Sequence, residues 1–207
     1  MKISYAIPVC NEFVEIQRLL TFLISNKRPE DEIVVLYDSV NGDKQVETYL
    51  RKMNVEKTYF RWHSYAFDGH FANMKNYLTG LCKGDYIYQI DADEMVDEHI
   101  LKLLPQVLES NDVEVLRVPR INTVEGLTQE HINKWGWHVN EQGWVNFPDY
   151  QWRIYKNNAG ITWVNQVHEA LTGYRSVAAL PADKEWCLLH PKDIKRQERQ
   201  NAYYDTL

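Results

Sequence analysis

A wound α/β fold, with a mostly parallel sheet flanked by helices, is predicted by three features of the 207-residue sequence. β-rich runs alternate with stretches of helical apolar spacing through the first half, the form taken by parallel strands joined through crossover helices. The strand-like runs stop in polar turn residues, and the fourth passes straight into acidic side chains. Composition agrees: 44% hydrophobic and 25% charged residues suit a packed globular core.

Ile3 to Val9 reads as the first strand, and Phe13, Ile16, Leu19, Leu20 and Leu23 recur at helical spacing from Glu12 to Ser25. Glu32 to Tyr37 reads as the second strand. It stops in Asp38-Ser39-Val40-Asn41-Gly42-Asp43, a turn-rich loop, before a helix containing Val46, Tyr49 and Leu50. Thr58 to His63 predicts a third strand, His70 to Cys82 a helix, and Asp85 to Ile90 a fourth strand that ends in Asp91-Ala92-Asp93-Glu94. Asp97 is a candidate N-cap for a helix carrying Ile100, Leu101, Leu104 and Leu108, which Pro105 is expected to divide. Val113 to Pro119 reads as a strand. Beyond Ile121 helical periodicity fades. Gln151 to Tyr155 and Ile161 to Val167 predict a hairpin around Lys156-Asn157-Asn158-Ala159-Gly160, and the charged stretch Lys192 to Gln200 predicts a solvated helix.

The formal charge of −6 argues against the broad phosphate-neutralising surface that nucleic-acid binding needs. Cys10, Cys82 and Cys187 form no CxxC pair, which points to reduced thiols rather than a disulfide or zinc framework. The opening MKISYAIPVCNE lacks the features of a signal peptide, and no stretch reaches membrane-spanning length. A cytoplasmic protein, or one peripheral at a membrane surface, is the expectation, with oligomeric state left open.

The run Tyr86 to Ile90 ends in three acidic residues within four. Such crowding is costly unless a cation offsets it, and hard divalent ions such as Mn²⁺ or Mg²⁺ favour one or two carboxylates with water and phosphate oxygens. The plainer reading is that one acid caps the next helix while the others face solvent. Position favours the first reading, because ligands of open α/β sheets bind at the carboxyl ends of strands.

Several segments then coincide in order: Ile7-Pro8-Val9-Cys10-Asn11-Glu12, Asp38-Ser39 with Gly42-Asp43, Phe71-Ala72-Asn73-Met74-Lys75-Asn76, and Asp91-Ala92-Asp93-Glu94. Together they resemble a family 2 glycosyltransferase of the GT-A fold. Trp152-Arg153-Ile154-Tyr155 and Trp163-Val164-Asn165-Gln166-Val167-His168-Glu169 resemble a later element of one subset of that family. The resemblance implies a Rossmann-like nucleotide-sugar core over residues 1–120, and an acceptor-side region and tail of the same domain over residues 121–207.

It also implies an inverting, metal-dependent transfer from a nucleotide-diphosphate sugar, a UDP-sugar being favoured, to a carbohydrate, lipid-linked or protein acceptor. Pro8, Asn11, Glu12, Asp38, Lys75, Asp91 and Ala92 would border the donor, and Asp93, Asp91 and His190 would hold Mn²⁺ or Mg²⁺. Glu169 is the first candidate base and Asp149 the reserve. Alternatives stand beside these roles. Asp38 suits an Asx-turn equally well, Lys75 a solvated helix position, His190 a structural histidine and Glu169 a strand-end surface acid. Asn76 is suited to binding loop backbone. Of Trp135, Trp137, Trp144, Tyr150, Trp152 and Trp163, most are expected to pack and one or two to touch acceptor. A catalytically silent nucleotide-sugar or glycan-binding module is the competing function.

Overall fold

The computed structural model describes residues 1–54 and 59–204. Its elements alternate as the first half of the sequence predicts: β1 (Ile3–Val9), α1 (Phe13–Asn26), β2 (Glu32–Asp38), α2 (Lys44–Asn54), β3 (Phe60–Tyr65), α3 (Phe71–Leu81), β4 (Tyr86–Gln89) and α4 (Glu98–Ser110). The second half supplies β5 (Val115–Glu125), α5 (Gln129–Trp135), β6 (Val145–Lys156), β7 (Thr162–Val164), β8 (Ala170–Thr172), β9 (Val177–Ala179), β10 (Leu188–Asp193) and α6 (Ile194–Tyr204).

One mixed sheet runs in the order β10-β5-β6-β4-β1-β2-β3, with β9 also paired to β5. Only β6 runs antiparallel to its neighbours in it, pairing β4 on one side and β5 on the other. Strands β1 and β2 are near-continuous apolar runs because both their faces are covered. Odd-numbered residues of β1 and β2 (Tyr5, Ile7, Ile33, Val35) pack with Leu19 and Leu23 of α1, Leu50 of α2 and Leu104 of α4. Even-numbered ones (Ala6, Val34, Leu36) pack with Met74 and Leu78 of α3 and with Trp163 of β7 and Leu171 of β8. At the opposite rim from the acids, Glu32 accepts from Ser4 Oγ (2.7 Å), the Lys83 backbone N–H (2.6 Å), Lys2 (3.1 Å) and Arg61 (3.0 Å), which ties the starts of three strands together.

The structure corrects several expectations. Gln151 to Tyr155 does not form a hairpin with Ile161 to Val167. The former lies within β6, whose ladder partners are β4 and β5, while β7 pairs β8 in a separate two-stranded ribbon. Pro105 does not divide α4. The helix continues through it because Ile100, Leu101, Leu104, Pro105 and Leu108 are all buried on one side, a gain that offsets the roughly 3 kcal/mol cost of an internal proline. Asp97 does cap it, accepting from the His99 N–H at 2.8 Å. A short helix, α5, occupies a stretch read as non-helical; Thr128 and His131 form its capping box, and Gly136 ends it in the left-handed region at φ 62°. The tail helix starts at Ile194 rather than Lys192, since Lys192 belongs to β10 and pairs with Val124 of β5. Thr58, expected to open the third strand, lies outside the described residues. Among the described residues no helix is long and apolar enough to cross a membrane.

Candidate functional site

A cavity of about 1200 Å³ opens where β1, β2 and β4 end, and every residue singled out above as a candidate for donor, metal or base lines it. The turn after β1 supplies Asn11 and Glu12. Glu12 folds back so that Oε2 accepts from the backbone N–H groups of Cys10 (2.9 Å) and Asn11 (3.1 Å). Burial pushes its carboxyl up, and nearby Asp93 adds to the shift. The turn after β2 supplies Asp38, whose Oδ1 accepts from the N–H groups of Val40 (2.8 Å) and Asn41 (3.2 Å) and whose Oδ2 accepts from Asn41 Nδ2 (2.9 Å). The Asx-turn reading of Asp38 is therefore correct, and the same side chain forms part of the cavity wall. Gly42 permits this turn because a Cβ there would meet the Asp38 carbonyl at 2.1 Å.

The acidic segment after β4 closes into a turn, with the Glu94 N–H donating to the Asp91 carbonyl at 2.9 Å and the Asp91 N–H donating to Glu94 Oε2 at 3.0 Å. Glu94 is fully buried and serves as the internal anchor, accepting from Arg120 (3.1 Å) and Arg153 (2.7 Å). Arg153, itself 3% exposed, also grips Asp91 at 2.5 Å. Burial works against ionisation of Asp91, but Arg153 and Lys75 outweigh it and hold the carboxyl below its ordinary range.

Asp93 faces a different set of groups. Its Oδ2 lies 3.2 Å from His190 Nε2 and 3.2 Å from Arg196 Nη2. Burial would raise its pKa, yet His190, Arg196 and Lys192 hold the carboxyl well below the usual carboxylate range. The His190 tautomer follows from the network behind it. Asn122 Nδ2 donates to Asp149 at 2.8 Å, a carboxylate that only accepts, so Asn122 Oδ1 faces His190 Nδ1 at 2.8 Å and that nitrogen carries the proton. Burial pushes the His190 pKa down, although Asp93 pulls the other way. With its Nδ1 proton directed at Asn122, His190 points Nε2 at the Asp93 carboxylate oxygen. Imidazole nitrogen and carboxylate oxygen converging at 3.2 Å are a donor set that Mn²⁺ accepts once Nε2 carries no proton. Among the described residues no group of three or more His, Cys, Asp or Glu side chains is arranged to hold a metal alone. Asp93 and His190 thus suit an ion whose other ligands are water and phosphate.

Glu169 sits in the loop of the β7–β8 ribbon and forms an ion pair with Lys75 at 3.1 Å. Lys75 is not a solvated helix residue: it is 8% exposed, and its ammonium stands 4.6 Å from the centre of the Trp163 ring. Asn76, one residue on, meets the expectation for it, donating to the Trp163 carbonyl (2.9 Å) and accepting from the Trp163 N–H (2.8 Å). The ribbon is thereby hung on α3. Asp149 is engaged differently. Its Oδ2 accepts from Arg120 Nε (3.0 Å), Arg120 Nη2 (2.7 Å) and Asn122 (2.8 Å), and its Oδ1 from Gln151 (2.6 Å). Despite burial, these partners lower its pKa, so it is poorly suited to take a proton. Of the aromatic crowd, Trp137, Trp152 and Trp163 reach the cavity, and Trp163 is packed as well, 3% exposed and donating from Nε1 to Tyr155 OH at 3.1 Å.

Arg120, Asn122, Arg153 and Arg196 were not among the residues the sequence pointed to. Arg153 carried a signal, a charge inside the apolar run Trp152-Arg153-Ile154-Tyr155. Arg196 carried none, since it lies in a tail that reads as solvated.

The sequence model of the family described as "Glycosyl transferase family 2" matches residues 4–172. The uncharacterized glycosyltransferase MG060 homolog of Mycoplasma pneumoniae is 27% identical over 121 residues, which make up 56% of this chain and 40% of that protein. Among solved structures, S. aureus TarS 1-349 aligns with a TM-score of 0.64 at 17% identity, over 92% of this chain and 60% of that one. The same protein in complex with UDP-GlcNAc aligns at 0.66 and 18% identity, over 93% and 59%. This chain therefore spans well under two thirds of both relatives, and the structural likeness is one of fold.

Proposed function

The chain belongs to glycosyl transferase family 2, and on that premise we propose that it moves a sugar from a UDP-sugar to an acceptor hydroxyl, with inversion and with help from Mn²⁺ or Mg²⁺. The observation that carries this reading is the convergence of Asp93 Oδ2 and His190 Nε2 at 3.2 Å, in the same cavity as Asp38, Lys75 and Glu169. The TarS structures with UDP and with UDP-GlcNAc support a uridine nucleotide as the donor class.

In this reading Asp38 and the β1 turn receive the nucleoside, with Pro8, Asn11 and Ala92 on the wall. Asp93 and His190 would hold the cation, with Asp91, fixed by Arg153, alongside. When bound, the cation supplies electrostatic stabilisation of the charge that grows on the departing diphosphate. Glu169 takes the proton from the acceptor hydroxyl as its oxygen forms a bond to the anomeric carbon, and the bond from that carbon to the diphosphate oxygen breaks, the electron pair leaving with UDP. Lys75 keeps the Glu169 carboxylate in place and brings a positive charge to the side of the cavity where Asp91 lies. Trp137 and Trp152 offer flat faces on which an acceptor sugar stacks.

The test is release of UDP from a panel of UDP-sugars, with Mn²⁺ and with chelator, alone and with carbohydrate acceptors. Metal-dependent UDP release is the expected outcome. Donor binding without any turnover across acceptors would instead favour a silent binding module, and turnover unaffected by chelator would remove the metal.

A further inference from the structure

Arg196 enters the cavity from the first turn of α6 and is held there by carboxylates. Its Nη1 pairs with Glu15 at 2.8 Å, and its Nη2 with Glu12 at 3.1 Å and Asp93 at 3.2 Å. The Asp93 oxygen it holds is Oδ2, the one that faces His190 Nε2. One oxygen therefore serves two claimants. A divalent ion between Asp93 and His190 would lie beside the guanidinium, and like charges so close repel.

Arg196 also holds the helix. None of the described α6 side chains is fully buried. Its ties to the body include the Arg196 pairs, a hydrogen bond from Lys192 to Gln200, and a 3.5 Å contact between His131 and Glu198. Lys192, Arg196 and Arg199 line the same cavity, beside Glu12, Glu15 and Asp193. A planar guanidinium matches phosphate oxygens in a bidentate fashion and loses little by exchanging a carboxylate for them.

We propose that Arg196 is a latch: it takes the cation's place on Asp93 in the metal-free protein and passes to the donor's diphosphate once the cation is bound. Docking of α6 is then coupled to the order of loading. The cation alone expels Arg196 and loosens the helix; cation with nucleotide draws Arg196 back, now onto phosphate, and closes the helix over the donor. The latch rests on the metal role proposed above.

Hydrogen exchange of α6 in the full chain, read by mass spectrometry, tests this when Mn²⁺ binding is followed separately by electron paramagnetic resonance. Exchange in α6 is expected to rise with Mn²⁺ alone and to fall below the metal-free level with Mn²⁺ and UDP. Arg196→Gln should exchange rapidly without metal and show no further rise with Mn²⁺, and it should bind Mn²⁺ about tenfold more tightly, the size of an ordinary coupling between two sites. Bound Mn²⁺ with unchanged α6 exchange in the wild-type chain overturns the latch and leaves the metal site standing. Absence of bound Mn²⁺, even with UDP present, overturns both.

Discussion

Replacing Arg153 by methionine removes the β6 side chain that grips both Asp91 and Glu94 of the acidic turn, and the cost follows from what it leaves behind. Glu94 is fully buried and would keep Arg120 at 3.1 Å but lose its shorter bond of 2.7 Å, while Asp91 would lose its 2.5 Å partner. Each is a charge-assisted bond, worth roughly 1.5–3 kcal/mol. Removing one partner from a buried ionic cluster costs about 3–5 kcal/mol because the remaining charge is stranded. Relief from desolvating the guanidinium and retention of Arg120 argue for the lower half of that range. For a domain of this size such a loss corresponds to a fall in Tm of about 10 °C. Urea denaturation of Arg153→Met, Glu94→Gln and the double variant supplies the numbers. Glu94→Gln should recover at least about 2 kcal/mol of the Arg153→Met loss, since the stranded charge is then gone. A loss under about 1 kcal/mol for Arg153→Met, or two effects that simply add, would refute the claim that this arginine neutralises the turn.

Three further outcomes are expected. Asp93→Ala should abolish the Mn²⁺-dependent rise in Tm produced by UDP while leaving the melt without ligand within a few degrees of wild type; an unchanged ligand shift would take the metal role away from Asp93. Glu169→Gln should retain UDP-sugar affinity within a few-fold and lower the transfer rate by about 10²–10⁴, as measured by UDP release at saturating acceptor; full activity would pass the base role elsewhere. At the far rim, burial would raise the Glu32 pKa, but its bonds from Ser4, the Lys83 N–H, Lys2 and Arg61 bring it down to about 2. A depressed carboxyl stabilises the fold above its unfolded value near 4.3 and loses that contribution as pH falls toward about 2, so Glu32→Gln should flatten the acid limb of a stability profile by on the order of 1–3 kcal/mol. Parallel acid limbs for the two proteins would contradict this.

The portion of the molecule that was legible in sequence is the portion held by local pattern. Strands β1 and β2 announce themselves because a doubly covered strand is apolar on both faces, and α1 because its buried stripe repeats at helical spacing. The candidate site was legible where residues sit at strand ends, as Asp38, Asp91 and Asp93 do. What stayed hidden is fixed by partners remote in the chain. Arg153 meets Glu94 and Asp91 across 59 and 62 positions, and Arg196 meets Glu12 across 184. Neither separation leaves a periodic trace. The failed hairpin has the same origin: β6 alternates as any strand does, and nothing local says that it inserts between β4 and β5. Pro105 misled in the opposite direction, since a local rule yielded to the burial of neighbouring leucines.

The small ribbon of β7 and β8 is tied to α3 by the Asn76 carboxamide, by Lys75 and by the Phe71 N–H, which donates to the Gln166 carbonyl, and among the described residues it shares no ladder with the main sheet. Its tip carries Glu169, whereas the acids of the β4 turn are built into the sheet itself. Glu169 and the acids of the β4 turn thus stand on different pieces of the backbone. In the reaction proposed above the ribbon's tip meets the acceptor, which makes this excursion the natural handle for redirecting such a protein toward a new hydroxyl.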